Sequence, residues 1–251
     1  MSEREYAADG SEEKIAEPVQ TADGSLTLYS ERYKQTYHST HGAITESEHV
    51  FLEGAGIRDR LRASQGCECV RILEVGLGLG VNALLTANAA KQFGTNVDYF
   101  GVEFDFQSGD VIKKVLTQFD SHAVQTFCSA VDQCRKLATT AKPESVSLNP
   151  YFKLQILPIS LNSLLAATDT SGVTIEHKFD AIYLDAFSPD TNPECWTPEI
   201  LSKLSKTLVS GGILATYSAK GSVRRGLQQA GLTVTRRPGP PGKRECLAAS
   251  A

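Results

Sequence analysis

One run, Val70-Arg71-Ile72-Leu73-Glu74-Val75-Gly76-Leu77-Gly78-Leu79-Gly80-Val81-Asn82, constrains the fold more than any other part of the chain. An apolar stretch meets three glycines at alternate positions, then continues as ALLTANAAKQ, a helical pattern. That order predicts a strand, a tight turn and a helix start. Alternate glycines admit positive φ and let the backbone approach a ligand with no Cβ between. The helix N-terminus beyond them offers free N–H groups and a partial positive charge. The third glycine, Gly80, falls one residue earlier than the dinucleotide form G-x-G-x-x-G requires, and Glu74 stands two residues before the first.

At 251 residues, 41% hydrophobic and 22% charged, the chain is long enough for one sizeable α/β domain with an embellishment. It has no run of eighteen apolar residues and no basic-then-apolar N-terminal pattern. A soluble, cytoplasmic protein that avoids membranes is the expectation. The six cysteines (67, 69, 128, 134, 195 and 246) form no C-x-x-C, and Cys67-x-Cys69 lacks a second ligand pair. Reduced thiols and no metal site are expected. The net charge of −4 is uneven. From Leu201 to Ala251 nine lysines and arginines face one acid, Glu245, a balance of +8 that leaves −12 for residues 1–200. Such segregation is what a polyanion-binding face needs, and equally what a solvated basic helix face shows without a partner.

Residues 1–24 are acidic and poor in apolar groups, which predicts a disordered tail. Ser25–Ser30 alternates as a short strand, and Thr45–Arg62 reads as a helix capped by Thr45 or Ser47. Between them lies a loop dense in Tyr, His and Ser, including Tyr37 and His41, so residues 25–65 are expected to form an extension contributing to the active site. From residue 66 onward the pattern is strand and helix in alternation. Strands are expected at 96–103 (ending in Glu103), 151–157, 179–185 (ending in Asp185) and 211–218, with a long helix from Val111 to about Lys136. Residues 142–149 read as a polar connection. Thr197 and Pro198 mark a helix start. Thr233–Arg237 and Arg244–Ala248, joined by a Pro/Gly turn, form a closing antiparallel hairpin. The fold class is therefore α/β, Rossmann-like, with a mostly parallel seven-stranded sheet and a C-terminal hairpin over residues 66–251.

The segments YHSTHGAITESEHVF, EVGLGLGVN, DAFSPDTNPECWTPE, GGILATYSAKGSVRRGLQQAGLTV and RPGPPGKREC together resemble the MnmC-type (MnmD-like) class I methyltransferases. The E-x-G-x-G-x-G form belongs to class I enzymes that bind S-adenosylmethionine, and the resemblance runs from about Tyr29 to Leu247. It implies transfer of a methyl group from S-adenosylmethionine to the aminomethyl arm of the wobble uridine of tRNA, giving 5-methylaminomethyl-2-thiouridine. The resemblance also implies roles. Glu74, Gly76, Gly78, Gly80, Asn82 and Glu103 would serve the cofactor, with Glu103 on the ribose, and Asp185 would be the catalytic carboxylate. Arg224, Arg225, Lys243 and Arg244 would meet the tRNA phosphates. Apart from the resemblance, Tyr37 and His41 of the Tyr/His-rich loop are candidate ligand contacts, and Tyr37, Phe187 or Trp196 are candidate stacking partners for a flipped base, Trp196 being equally a core residue. The anticodon stem-loop is the expected partner. The FAD-dependent oxidase half fused to many relatives is expected to be absent, leaving a separate oxidase or upstream tRNA-modifying enzymes to supply the amine.

One departure stands out. Members commonly carry Gly-Asp after the third strand, whereas this chain has Leu157-Pro158-Ile159. Two other readings share the pattern: an aminopropyltransferase of the spermidine-synthase kind, which wants more acids near Asp185, and a tRNA-binding protein without catalysis.

Overall fold

The computed structural model describes residues 17–66, 69–136, 143–166 and 177–251. The first sixteen residues of the expected tail, and Cys67, lie outside the described residues. Two antiparallel ribbons open the chain: β1 (Val19–Gln20) pairs with β2 (Leu26–Thr27), and β3 (Tyr29–Ser30) with β4 (Gln35–Thr36). Residues 17–24, expected to belong to the tail, are thus built into the fold. The cause is polar. Asp23 Oδ1 accepts from Thr21 Oγ1 (2.7 Å), Ser25 N (3.0 Å) and Ser25 Oγ (2.5 Å), and Oδ2 accepts from Thr45 N (2.9 Å) and Thr45 Oγ1 (2.8 Å).

The helix expected over 45–62 is broken. It comprises α1 (Ala43–Ser47), a π-helical turn Glu48–Glu53 and α2 (Ile57–Ala63), with Gly56 at φ +64° before α2. Neither Thr45 nor Ser47 caps it. The free first-turn N–H groups go instead to side chains some twenty residues earlier: Ser25 Oγ accepts from Ala43 and Ile44, and Asp23 from Thr45. A cap supplied from outside the helix leaves no local signature.

The main body follows as β5 (Val70–Val75), α3 (Val81–Phe93), β6 (Val97–Glu103), α4 (Gly109–Val115), α5 (Ser121–Lys136), β7 (Glu144–Asn149) and β8 (Phe152–Pro158). Then come α6 (Leu161–Leu164), β9 (Phe179–Leu184), a 3₁₀ turn Pro193–Trp196, α7 (Pro198–Lys206), β10 (Leu208–Thr216), α8 (Gly221–Gln229), β11 (Thr233–Pro238) and β12 (Glu245–Ser250). Strands β5 to β12 form one sheet in the order β11-β12-β10-β9-β5-β6-β8-β7. The five from β10 to β8 are parallel, and β12 and β11 close one edge as the expected hairpin. Among the described residues the sheet has eight strands, where seven were expected. Glu144–Asn149, read as a connection, pairs antiparallel with β8 at the other edge, where polar side chains can face water. The helix expected from Val111 to Lys136 is likewise two, because Asp120 Oδ1 accepts from Ala123 N (2.9 Å) and starts a second.

Alternation along the central strands divides the core. Ile72, Tyr99, Leu154, Ala181 and Tyr183 face α2, α3 and α5, while Leu73, Phe100, Val102, Ile182 and Leu184 face α7 and α8. Successive side chains of a strand point to opposite faces, so a parallel strand covered on both sides must be apolar throughout. That requirement makes the polar residues left in these strands, above all Glu74, conspicuous.

Burial tends to raise the pKa of Asp23, but the hydrogen bonds from Ser25, Thr21 and Thr45 outweigh it and hold the carboxyl well below the ordinary range. Its stabilisation is therefore fully present above the unfolded value of about 3.9 and lost as pH falls toward the folded one. Asp23→Ala is expected to cost about 1 kcal/mol at pH 7, a fall of about 2–4 °C in Tm for a chain of this size. Thermal melts followed by circular dichroism at pH 7 and pH 3 should show the gap narrowing at the lower pH.

Candidate active site

Chain progression reverses at β5, with β6 and β8 laid to one side and β9 and β10 to the other. Ligands of open α/β sheets bind at such a switch point, beyond the carboxyl ends of the strands. A cavity of about 550 Å³ lies there, between the glycine loop, Glu103, Asp185 and the N-terminal extension. Gly76 (φ +87°), Gly78 (φ +52°) and Gly80 (φ +83°) all adopt the left-handed region, each for a different reason. A Cβ on Gly76 would stand 2.7 Å from the Asp185 carbonyl oxygen, so the two strand ends meet only because the side chain is missing. On Gly78 it would meet the Tyr37 ring at 3.2 Å across the cavity mouth. Gly80 precedes α3, where a Cβ would enter the Phe127 ring. Only the first two glycines line the cavity.

Glu103, at the end of β6, also lines it. Its Oε2 accepts from Gly78 N (3.1 Å) and its Oε1 from Phe104 N and Asp105 N (2.8 Å each). Burial pushes its pKa up while these backbone donors pull against it. A carboxylate has roughly four acceptor positions, so one remains for a ligand hydroxyl.

Behind the loop, Glu74 and Asn82 are buried and do not reach the cavity. Asn82 Nδ2 donates to Glu74 Oε1 and to Asp185 Oδ2, both at 2.8 Å, and Tyr99 Oη donates to Glu74 Oε2 at 2.8 Å. Burial pushes Glu74 up to about 8 against the pull of Asn82 and Tyr99. Burial, followed by the charges of Glu74 and Glu46, also carries Asp185 well above the ordinary carboxylate range, opposed by Asn82 and Lys243. Asp185 is half-buried and opens onto the cavity.

The N-terminal extension forms the opposite wall. Tyr33 stacks on Phe187 (centroids 4.1 Å apart, planes at 16°), and Tyr37 meets the same ring edge-on at 5.1 Å. Gln35 Nε2 donates to Ser188 Oγ at 2.8 Å, and Arg32 pairs with Asp105 at 3.3 Å, so the β3–β4 turn is tied to both banks of the crevice. Deeper in, Glu46 of α1 accepts from Ser39 N (2.8 Å) and pairs with Lys243 Nζ (2.5 Å). Lys243 also lies 3.9 Å from the Tyr217 ring centroid, and the Tyr217 hydroxyl donates to Ala186 O (2.8 Å). His38 is buried beside them, and burial lowers its pKa to about 4, so it is neutral near pH 7.

The named residues thus sort by place. Gly76, Gly78, Glu103, Asp185, Tyr37, Phe187 and Lys243 share the cavity, whereas Glu74, Gly80 and Asn82 stand behind it. Trp196 is buried, donates from Nε1 to Phe187 O (2.8 Å) and does not line the cavity. His41 is exposed and packs where a Cβ on Gly242 would be. Arg225 and Arg244 are exposed and Arg224 partly so, on α8 and beside β12. Sequence reasoning missed Glu46 and Tyr217, whereas Tyr33 and His38 belong to the Tyr/His-rich loop expected to contribute to the site. Each of the two missed looks like an ordinary helix or strand-end residue until the two ends of the chain are brought together. At the departure after the third strand, Ile159 and Leu161 make an apolar wall.

A family described as S-adenosyl-L-methionine-dependent methyltransferase matches residues 116–251, more than half of the chain. The tRNA 5-methylaminomethyl-2-thiouridine biosynthesis bifunctional protein MnmC of Ralstonia nicotianae is 32% identical over 239 residues, covering 94% of this chain and 34% of that protein. The protein of the same name from Cupriavidus metallidurans is 32% identical over 238 residues, with 93% and 34% covered. The chain thus spans about a third of the length of the curated relatives it matches. The crystal structure of MnmC2 from Aquifex aeolicus superposes with a TM-score of 0.69 at 26% identity, covering 94% of this chain and 70% of that one.

The residues present fit the family's cofactor: a glycine cradle that a Cβ would obstruct, a strand-end acid with an acceptor position left, and an apolar wall. Gly76→Ala tests the cradle. A Cβ in the left-handed region costs about 1–2 kcal/mol, before any clash with the Asp185 carbonyl. Calorimetry should show S-adenosylmethionine affinity reduced at least about tenfold, with the circular dichroism spectrum retained. Sheet order, glycine loop and family match agree: the chain belongs to the S-adenosyl-L-methionine-dependent methyltransferase family.

Proposed function

We propose that this protein methylates the primary amine of the aminomethyl arm on the wobble uridine of tRNA, working on the anticodon stem-loop. The observation carrying this reading is a carboxylate, Asp185, at the inner end of the cavity and in backbone contact with the glycine loop. The similarity to the MnmC proteins supports the choice of substrate.

The cofactor, when bound, supplies a methyl group on a sulfonium; the protein's task is alignment and proton handling. Gly76 and Gly78 form the cradle for its methionine part, Glu103 accepts from a ribose hydroxyl, and Ile159 and Leu161 pack against the adenine. An alkyl amine is protonated near neutral pH and must shed a proton before its lone pair can attack. Asp185, with its pKa raised by burial and neighbouring acids, is the stronger base for that step. As the new N–C bond forms and the S–C bond breaks, positive charge passes from sulfur to nitrogen, and the Asp185 carboxyl oxygen accepts a hydrogen bond from the N–H that remains. The Tyr33–Phe187 stack and Tyr37 form the mouth past which a splayed-out base passes.

Arg224, Arg225 and Arg244 flank the same edge of the sheet and suit phosphate contact. Lys243 turns inward to Glu46 and Tyr217 and serves the cavity. An aminopropyltransferase reading wants several acids grouped around Asp185, and the only other acid among the described residues lining that end of the pocket, Glu46, is paired with Lys243. The amine substrate would come from a separate oxidase or another upstream tRNA-modifying enzyme.

The test is transfer of labelled methyl from S-adenosylmethionine to tRNA lacking this modification, followed by nucleoside analysis. Label in a methylaminomethyl uridine at the wobble position supports the reading; label elsewhere or none in tRNA rejects it. Asp185→Ala should lower kcat by about a hundredfold or more with cofactor affinity largely kept. Replacing Arg225 and Arg244 by alanine should weaken tRNA binding and flatten its salt dependence by about one unit of slope per lost phosphate contact.

A further inference from the structure

The buried polar groups behind the cavity are left over by the reaction described above. Glu74 lies on β5, Asp185 follows β9, and these strands are parallel neighbours with Val75 opposite Leu184. Their two carboxylates point the same way, toward the start of α3. Asn82 meets both there with one NH₂ group, each hydrogen going to a different carboxylate at 2.8 Å. The amide can only be placed this way round, since its oxygen would otherwise face two acids. That oxygen, Oδ1, is buried without a hydrogen-bond partner among the described residues. A buried acceptor left unsatisfied is unfavourable, so the position sacrifices one end of the amide to secure the other. Glu74 is itself fixed by the Tyr99 hydroxyl, so the bridge has a rigid anchor.

We propose that Asn82 is a positioning residue for Asp185: anchored on Glu74, its amide holds Asp185 Oδ2 from behind and leaves Oδ1 to the amine of the acceptor. This deepens the reading of Asp185 as the amine-facing carboxylate and rests on it. Asn82 does not line the cavity. Without the bridge the Asp185 carboxylate would turn and lose its only donor in this set. Glu74 would then stand buried with Tyr99 alone.

The arrangement has a second consequence, for charge. The groups facing Asp185 are Glu74 from β5, Glu46 from α1, Tyr99 from β6, Tyr217 after β10 and Lys243 before β12. The nearby acids disfavour its ionised form, while Asn82 and Lys243 favour it. Removing the Asn82 donor should therefore raise the pH at which Asp185 ionises. Glu74 and Asp185 resist being ionised together, so replacing Glu74 by glutamine keeps an acceptor for Asn82, removes that competition and should lower it.

The experiment measures Asp185 directly, by infrared difference spectra of its carboxyl band against Asp185→Asn, across pH, in wild type, Asn82→Ala and Glu74→Gln. Ionisation should move up by about one pH unit in Asn82→Ala and down in Glu74→Gln. The acid limb of methyl transfer should move with it, and kcat should fall more than tenfold in Asn82→Ala at an unchanged KM for S-adenosylmethionine. Ionisation at the wild-type pH in a folded Asn82→Ala protein would overturn the proposal. So would an upward or absent shift in Glu74→Gln, the variant that preserves shape if Asn82→Ala fails to fold. A rise in cofactor KM with kcat unchanged would also overturn it, making Asn82 a cofactor residue. Because the infrared signal needs no substrate, these outcomes remain readable even if tRNA proves not to be the acceptor.

Discussion

The site hangs on one close approach between backbones. Asp185 N donates to Val75 O at 2.9 Å, and the Asp185 carbonyl occupies the space a side chain on Gly76 would take. Two parallel strands therefore end in register, one as a glycine turn and the other as a carboxylate. Everything chemical follows from that juxtaposition. On the proposed function the turn receives the methyl donor and the acid the acceptor, and the backbone hydrogen bond from Asp185 to Val75 ties the two ends together. Alignment to within about 0.5 Å is what a displacement reaction asks of a protein, and rigid strand ends deliver it better than loops do.

Much of this was legible in the residues. The VRILEVGLGLGVN run specified strand, turn and helix, and the apolar run FDAIYL ending in Asp185 specified a central strand with an acid at its working end. Periodicity and glycine spacing report local geometry, and local geometry decided these elements. Structure governed by distant partners was not legible. The cap of α1 comes from Asp23 and Ser25, so neither the helix start nor the order of residues 17–24 shows in nearby sequence. β7 hid as a polar connection because an edge strand need not be apolar. The Val111–Lys136 run concealed a break because Asp120 inside a helical pattern reads as a surface acid until it caps one.

The same distinction runs through the site. Glu103 and Asp185 were readable because strand ends at a switch point have a predictable position. Glu46 and Tyr217 were not, since their shared wall arises from elements far apart in the chain. Lys243 shows the limit of charge counting. It contributes to the basic C-terminal quarter, yet its ammonium faces Glu46 and a tyrosine ring rather than solvent alone. Composition reports how many charges a segment carries; only packing says which way each one looks.

The contact between the extension and the closing hairpin bears on how the molecule comes into being. His41 lies against Gly242, Lys243 reaches Glu46, and His49 Nε2 lies 2.7 Å from Pro238 O, a pairing that spans 189 positions. Contacts of such separation form late, after the entropy of closing a long loop has been met. During synthesis the glycine turn and its neighbouring strands can assemble while the side of the cavity lined by Glu46 and Lys243 still lacks its wall. That wall is completed only once the chain has reached β12, later than the turn beside it.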